Sequence, residues 1–145
     1  MRAVKAVFTM AYFVLLLYIV FFARRRSVIT SRMLNIVPFR NTLHAFQEIS
    51  NDRGQFNFYT NLLGNFLLFI PISFVFMLVC KTADRNTILY TFIFSLSIEL
   101  LQYLLKKEVA DVDDIILNVA GAFVGMLVCK KMIRRFDLKW RFRYK

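Results

Sequence analysis

Four long stretches with no charged residue, or with one, dominate the chain: positions 6–23, 55–80, 86–105 and 115–129. Each is bounded by charges. Arg2 and Lys5 precede the first, and Arg24, Arg25 and Arg26 follow it. Within the second, 62–80 is the apolar core, and Glu99 alone interrupts the third. A helix that crosses a bilayer needs about 20 mostly apolar residues, and three of the runs meet that length. The fourth run reaches about 22 Å at 1.5 Å per residue, short of a 30 Å hydrocarbon core. Met132 and Ile133 extend it, with Lys130 and Lys131 placed to snorkel to the headgroups. The pattern predicts an all-α, polytopic transmembrane helical bundle of about four spans, near 6–23, 62–80, 87–105 and 115–133. Residues 1–145 then form a single membrane domain. The first run ends Val20-Phe21-Phe22-Ala23 without a small-x-small cleavage site, so it reads as a retained span. Pro71 falls inside the second span and removes one helix hydrogen bond, which membrane helices tolerate.

Composition supports this reading. The chain is 59% hydrophobic and 17% aromatic, against about 45–50% apolar for a soluble domain. Four spans take roughly 80 positions, which leaves no room for a separate soluble catalytic domain. The net charge of +11 sits beside apolar runs, so it points to membrane orientation and anionic headgroups rather than to nucleic acid. The basic and aromatic tail at 136–145 reads as an interfacial anchor on anionic lipid. Cys80 and Cys129 carry neither a disulfide framework nor a metal-type spacing. With four spans, the N-terminus, the 81–86 loop and the C-terminal tail share one side and hold 12 Lys and Arg, against 8 on the other. The positive-inside rule therefore predicts a multi-pass cell-membrane protein with both termini cytoplasmic.

Against that background, polar residues inside or beside the spans are the candidate chemistry, because each is costly in hydrocarbon. Glu99 and Gln102 stand i, i+3 in the third span and share a helix face. Asn61 and Asn65 stand i, i+4 at the start of the second. Asp111, Asp114 and Asn118 are spaced i, i+3, i+7 at the start of the fourth, as one helical stripe, with Asp113 beside it. Gly121 and Gly125 form a G-x-x-x-G, a surface for close helix packing rather than chemistry. In the predicted topology the three polar clusters meet at one depth on the extracytoplasmic side. The plainer alternatives are helix glue for the asparagines and an acidic loop favoured by a helix N-terminus for the aspartates. Asp111 and Asp114 could hold Mg²⁺ or Ca²⁺ as hard oxygen ligands, or the cluster could bind an amide-rich or cationic ligand directly. No cofactor is otherwise predicted. His44 has no metal-ligand companion and reads as loop. No Ser-His-Asp order, Gly-rich phosphate loop or H-E-x-x-H occurs, so no catalytic residue is assigned.

Three segments of the sequence resemble the VanZ-like family of small bacterial membrane proteins. Arg32 to Phe39, with Arg32, Asn35, Pro38 and Phe39, is similar to the family's R-x-x-N-x-x-P-F segment after the first helix. Asn61 to Pro71 is similar to its N-x-x-G-N-x-x-x-F-x-P motif. Glu99 and Gln102, followed by Asp111, Asp114, Asn118 and Gly121, look like its E-x-x-Q … D-x-x-D-x-x-x-N-x-x-G signature. One position departs: the family pattern has Arg three residues before the first signature Asp, where this chain has Glu108. Lys106 and Lys107 are adjacent but lack the planar fork of Arg.

The resemblance implies an association with resistance to teicoplanin, a lipidated glycopeptide that acts on the cell wall at the outer membrane face. Three functions follow as expectations. The first is a non-transporting membrane protein whose outer polar site recognises a lipid-linked wall precursor or the glycopeptide. The second is an intramembrane metal-dependent enzyme on a lipid or polyprenyl headgroup, with Asp111 and Asp114 on Mg²⁺ and Glu99 as general base. The third is a structural subunit of a membrane complex.

Overall fold

Helix polarity in this protein is inverted relative to a soluble bundle. Along one helix, Thr87, Thr91, Ser95, Glu99 and Gln102 are buried, while Leu89, Tyr90, Phe92, Ile93, Leu96 and Leu100 face outward. Burying the hydroxylic and carboxylic face and exposing the aliphatic one is the arrangement that suits a hydrocarbon solvent. The computed structural model describes residues 2–23, 34–47, 52–105 and 110–135. Helix α1 spans Arg2–Tyr18 and ends in a wider π-wound turn at Ile19–Ala23. A two-residue strand β1, Leu34–Asn35, leads to the short helix α2, Arg40–Gln47. Helix α3, Asp52–Phe74, runs through Pro71 and widens into a π-wound turn at Val75–Val79. Helix α4 is Asp84–Leu104, strand β2 is Ala110–Asp111, and α5 is Val112–Arg135.

Among the described residues, four helical stretches are long and apolar enough to cross a membrane: Ala3–Phe22, Phe58–Val79, Asp84–Leu104 and Val112–Arg135. The all-α, four-span expectation holds, with boundaries displaced by a few residues. The third and fourth spans begin earlier than expected, at Asp84, which pairs with Lys130, and at Val112, ahead of the buried Asp113 and Asp114. The fourth span is not short. It takes in Asp113 and Asp114 at one end, while at the other Lys130 is paired with Asp84 of α4. The fold also contains what hydropathy did not foresee. Strands β1 and β2 pair in parallel, Leu34 opposite Ala110 and Asn35 opposite Asp111. His44, expected in loop, lies in the last turn of α2.

Helices α3 and α5 form the tightest contact. Added Cβ atoms on Gly121 and Gly125 would collide with the carbonyl groups of Phe66 and Ile70, approaching the carbonyl carbons to 2.9 and 3.0 Å. A step of four on one helix matches a step of four on the other, so the two run parallel, as alternate spans must. The Ser73 hydroxyl donates to the Ala122 carbonyl across the same seam. Leu16, Val20, Phe69, Ile72, Ile98 and Ala122 make a core to which all four spans contribute. Phe13 and Phe94 meet edge to face at 5.6 Å between ring centres. Helix α1 is pinned by the Tyr12 hydroxyl, which donates to the Leu68 carbonyl at 2.8 Å. That carbonyl neighbours the one at Leu67 that Pro71 deprives of its helical donor.

Candidate functional site

The C-terminal end of α4, the start of α5 and the β1–α2 segment converge at one end of the bundle. Helix α4 carries Glu99 there, 4% exposed. The chain leaves α4 and returns as β2, where the backbone N–H of Asp111 donates to Glu99 Oε2 at 3.0 Å. Asp111 then performs two tasks with one oxygen. Its Oδ1 accepts from Asn35 Nδ2 at 2.9 Å and from the Asp113 N–H at 3.0 Å. The second bond makes Asp111 the N-cap of α5. Asp111 was expected on a helical stripe with Asp114 and Asn118, but it sits in the extended residue before the helix. An N-cap side chain must fold back onto the first turn, which requires non-helical backbone at that position.

Asn35 is held between the strand pairing and this carboxylate, and its own Oδ1 accepts from the Val37 N–H at 3.3 Å. Pro38 and Phe39 complete the turn. Phe39 adopts a left-handed backbone, φ 62°, a conformation that costs about 1–2 kcal/mol for a residue with a side chain. Arg32, Glu108, Lys106, Lys107 and the 136–145 tail lie outside the described residues.

Glu99, Asp111 and Asn35 border a cavity of about 340 Å³. Its walls are apolar: Leu34 and Ile36 from the β1 segment, Leu96, Leu100 and Tyr103 from α4, and Val112 and Ile115 from α5. Leu96 and Leu100 are exposed on the lipid-facing side of α4. The cavity is therefore a largely apolar groove walled in part by membrane-facing Leu96 and Leu100, with Glu99, Asp111 and Asn35 nearly covered at its floor.

The remaining expected residues occupy neighbouring places. Asp114 and Asn118 lie one turn apart on the buried face of α5. Asn118 Nδ2 donates to Ser95 Oγ at 2.8 Å, while its buried Oδ1 has no hydrogen-bond partner among the described residues. Gln102 Nε2 donates to the Val20 carbonyl at 3.4 Å and ties α4 to α1. Asn61 and Asn65 bond to each other at 3.4 Å on α3. Asn61, Thr42, Phe58 and Leu117 surround a small void, beside the groove rather than in it. Among the described residues, no group of three or more His, Cys, Asp or Glu side chains is disposed to hold a metal ion.

Asp113, placed by its spacing only beside the stripe of Asp111, Asp114 and Asn118, has a larger part than that position suggested. At 1% exposed, it accepts from the Phe39 N–H at 2.5 Å, the Thr42 N–H at 3.2 Å and the Thr42 hydroxyl at 2.8 Å. Those amides belong to the N-terminus of α2, so a side chain of α5 caps a helix more than seventy positions earlier. The available signal was a third carboxylate opening an apolar helix. Spacing could not reveal its partners.

A family model described as VanZ/LLP1 matches residues 9–135, and the chain belongs to that family. No curated protein and no solved structure matches it.

Proposed function

We propose that this VanZ/LLP1 protein is a non-transporting protein of the cell membrane, with both termini cytoplasmic and the Glu99–Asp111–Asn35 groove on the extracytoplasmic side. In this reading the groove recognises a lipidated envelope molecule, either a lipid-linked wall precursor or a teicoplanin-type glycopeptide, and so alters antibiotic access to the wall. The observation that carries the reading is the groove's two-part character. Buried Glu99, Asp111 and Asn35 stand at its floor, and membrane-facing Leu96 and Leu100, with half-buried Ile115, form its walls. An amphiphile fits such a shape with its chain along the wall and its amide or hydroxyl donors on the carboxylates. The excess of Lys and Arg on the side of the termini supports the orientation. The carboxylates act here as hydrogen-bond acceptors, and the Asn118–Ser95 bond stiffens the α4–α5 seam behind them.

The test is teicoplanin and vancomycin susceptibility of a sensitive Gram-positive host that expresses wild type, Glu99→Gln or Asp114→Asn at matched membrane abundance. Wild type should raise the teicoplanin threshold and Glu99→Gln should return it to the vector level. Glu99→Gln keeps the shape and removes only the charge. Full protection by that variant, or none by wild type, would overturn the reading.

A further inference from the structure

The segment from β1 through α2 exposes Leu34, Ile36, Val37, Phe39, Leu43 and Phe46, a continuous apolar strip on a stretch of only fourteen described residues. Helix α2 itself is two-faced. Arg40 and His44 stand at i, i+4 on one side. At roughly 100° per residue, Leu43 and Phe46 lie about 100° and about 160° round from His44, and Gln47 falls at the border, one turn beyond Leu43. Eight residues extend about 12 Å, too short to span a bilayer. The strip is continuous with the lipid-facing side of the bundle, since Leu34 and Ile36 share the groove with exposed Leu96 and Leu100 of α4.

The backbone supplies an independent observation. The N–H groups of Val37, Phe39, Arg40, Thr42 and Leu43 all have protein acceptors, and Pro38 has no N–H to satisfy. A helix N-terminus in water leaves several amides to the solvent. Here a buried carboxylate from another helix takes the Phe39 and Thr42 amides, and Asn35 and the segment's own carbonyls take the other three. Acceptors supplied from within the protein are what an element needs where water is scarce.

We propose that residues 34–47 form an interfacial hook that lies in the headgroup–acyl boundary of the bilayer. Leu43 and Phe46 point into the acyl chains, and Arg40 and His44 face the headgroups. Asp113 anchors the hook, so its depth is fixed by α5 rather than by lipid affinity alone. The occupant of the apolar strip is lipid.

The experiment uses the full chain in vesicles of phosphatidylcholine and phosphatidylglycerol. The native Trp140 is first replaced by Phe, and a single Trp is introduced as Leu43→Trp or His44→Trp. Lipids brominated at acyl carbons 6 and 7 should quench Leu43→Trp at least threefold more strongly than His44→Trp, and aqueous iodide should show the reverse order. Equal iodide quenching of the two without bromolipid quenching would overturn the proposal in favour of a water-exposed lid. Protection of Leu43→Trp from both quenchers would overturn it in favour of a protein partner or a second copy.

Discussion

Replacing Asp113 by Ala tests whether a single side chain holds the β1–α2 segment to the bundle. The substitution deletes acceptors for the Phe39 N–H, the Thr42 N–H and the Thr42 hydroxyl at once. Taken at about 1–1.5 kcal/mol for each bond, the loss is about 3–4 kcal/mol. The left-handed Phe39 backbone adds to it, because its strain is then opposed by nothing in α5. None of the three bonds lies within the α3–α5 seam or the four-span core. The cost should therefore appear as local opening rather than as loss of the spans. Hydrogen exchange on the protein in bilayer discs, read by peptide mass, separates the two outcomes. Amides over 34–47 should exchange about 10²–10³-fold faster, since 1.4 kcal/mol is a factor of ten, with 84–104 unchanged. Asp113→Asn retains one carbonyl oxygen and should show an intermediate effect. Unchanged exchange over 34–47 would refute the anchoring role. A parallel rise over α4 would instead make Asp113 part of the core.

Two further outcomes follow from the helix seams. Gly125→Leu should lower the melting temperature and membrane abundance sharply, because even a Cβ collides with the Ile70 backbone and α3 and α5 must part; a stable, abundant variant would contradict the parallel close contact. Asn118→Ala loses the bond to Ser95 but also removes an unpartnered buried oxygen, so its cost should stay within about 1 kcal/mol. Ser95→Ala alone leaves both amide groups of Asn118 wanting and should cost more than the double variant, as a double-mutant cycle of denaturation midpoints would show.

The spans were legible because bilayer thickness imposes a length that hydropathy reports directly, as the runs at 55–80 and 86–105 illustrate. Glu99 and Asp111 were legible for the related reason that polar groups at that depth need a partner. The stripe of Thr87, Thr91 and Ser95 was not, because hydroxyl side chains are nearly neutral in hydropathy and can bond back to their own helix, as Thr91 does to the Thr87 carbonyl. Strands of two residues have no alternation to detect. Helix α2 was hidden for another reason. Its N-terminal donors are answered by Asp113, 71 and 74 positions away, so the local sequence carries no cap to announce it.

The division of labour among the carboxylates separates holding from recognition. Asp113 spends both oxygens on α2 and does not border the groove. Glu99 and Asp111 border it. Leu34 and Ile36, which form one groove wall, belong to the segment that Asp113 retains. Loosening that segment should therefore open the wall while leaving the floor intact, whereas Glu99→Gln should leave the wall in place and change only the charge of the floor. A loss of antibiotic protection with normal exchange over 34–47 in Glu99→Gln would then belong to recognition. The same loss in Asp113→Ala, accompanied by fast exchange over 34–47, would belong to the wall. If both variants lost protection with identical exchange patterns, the floor and the wall would not be separable elements, and the Glu99–Asp111 contact would have to be counted among the bonds that hold the segment.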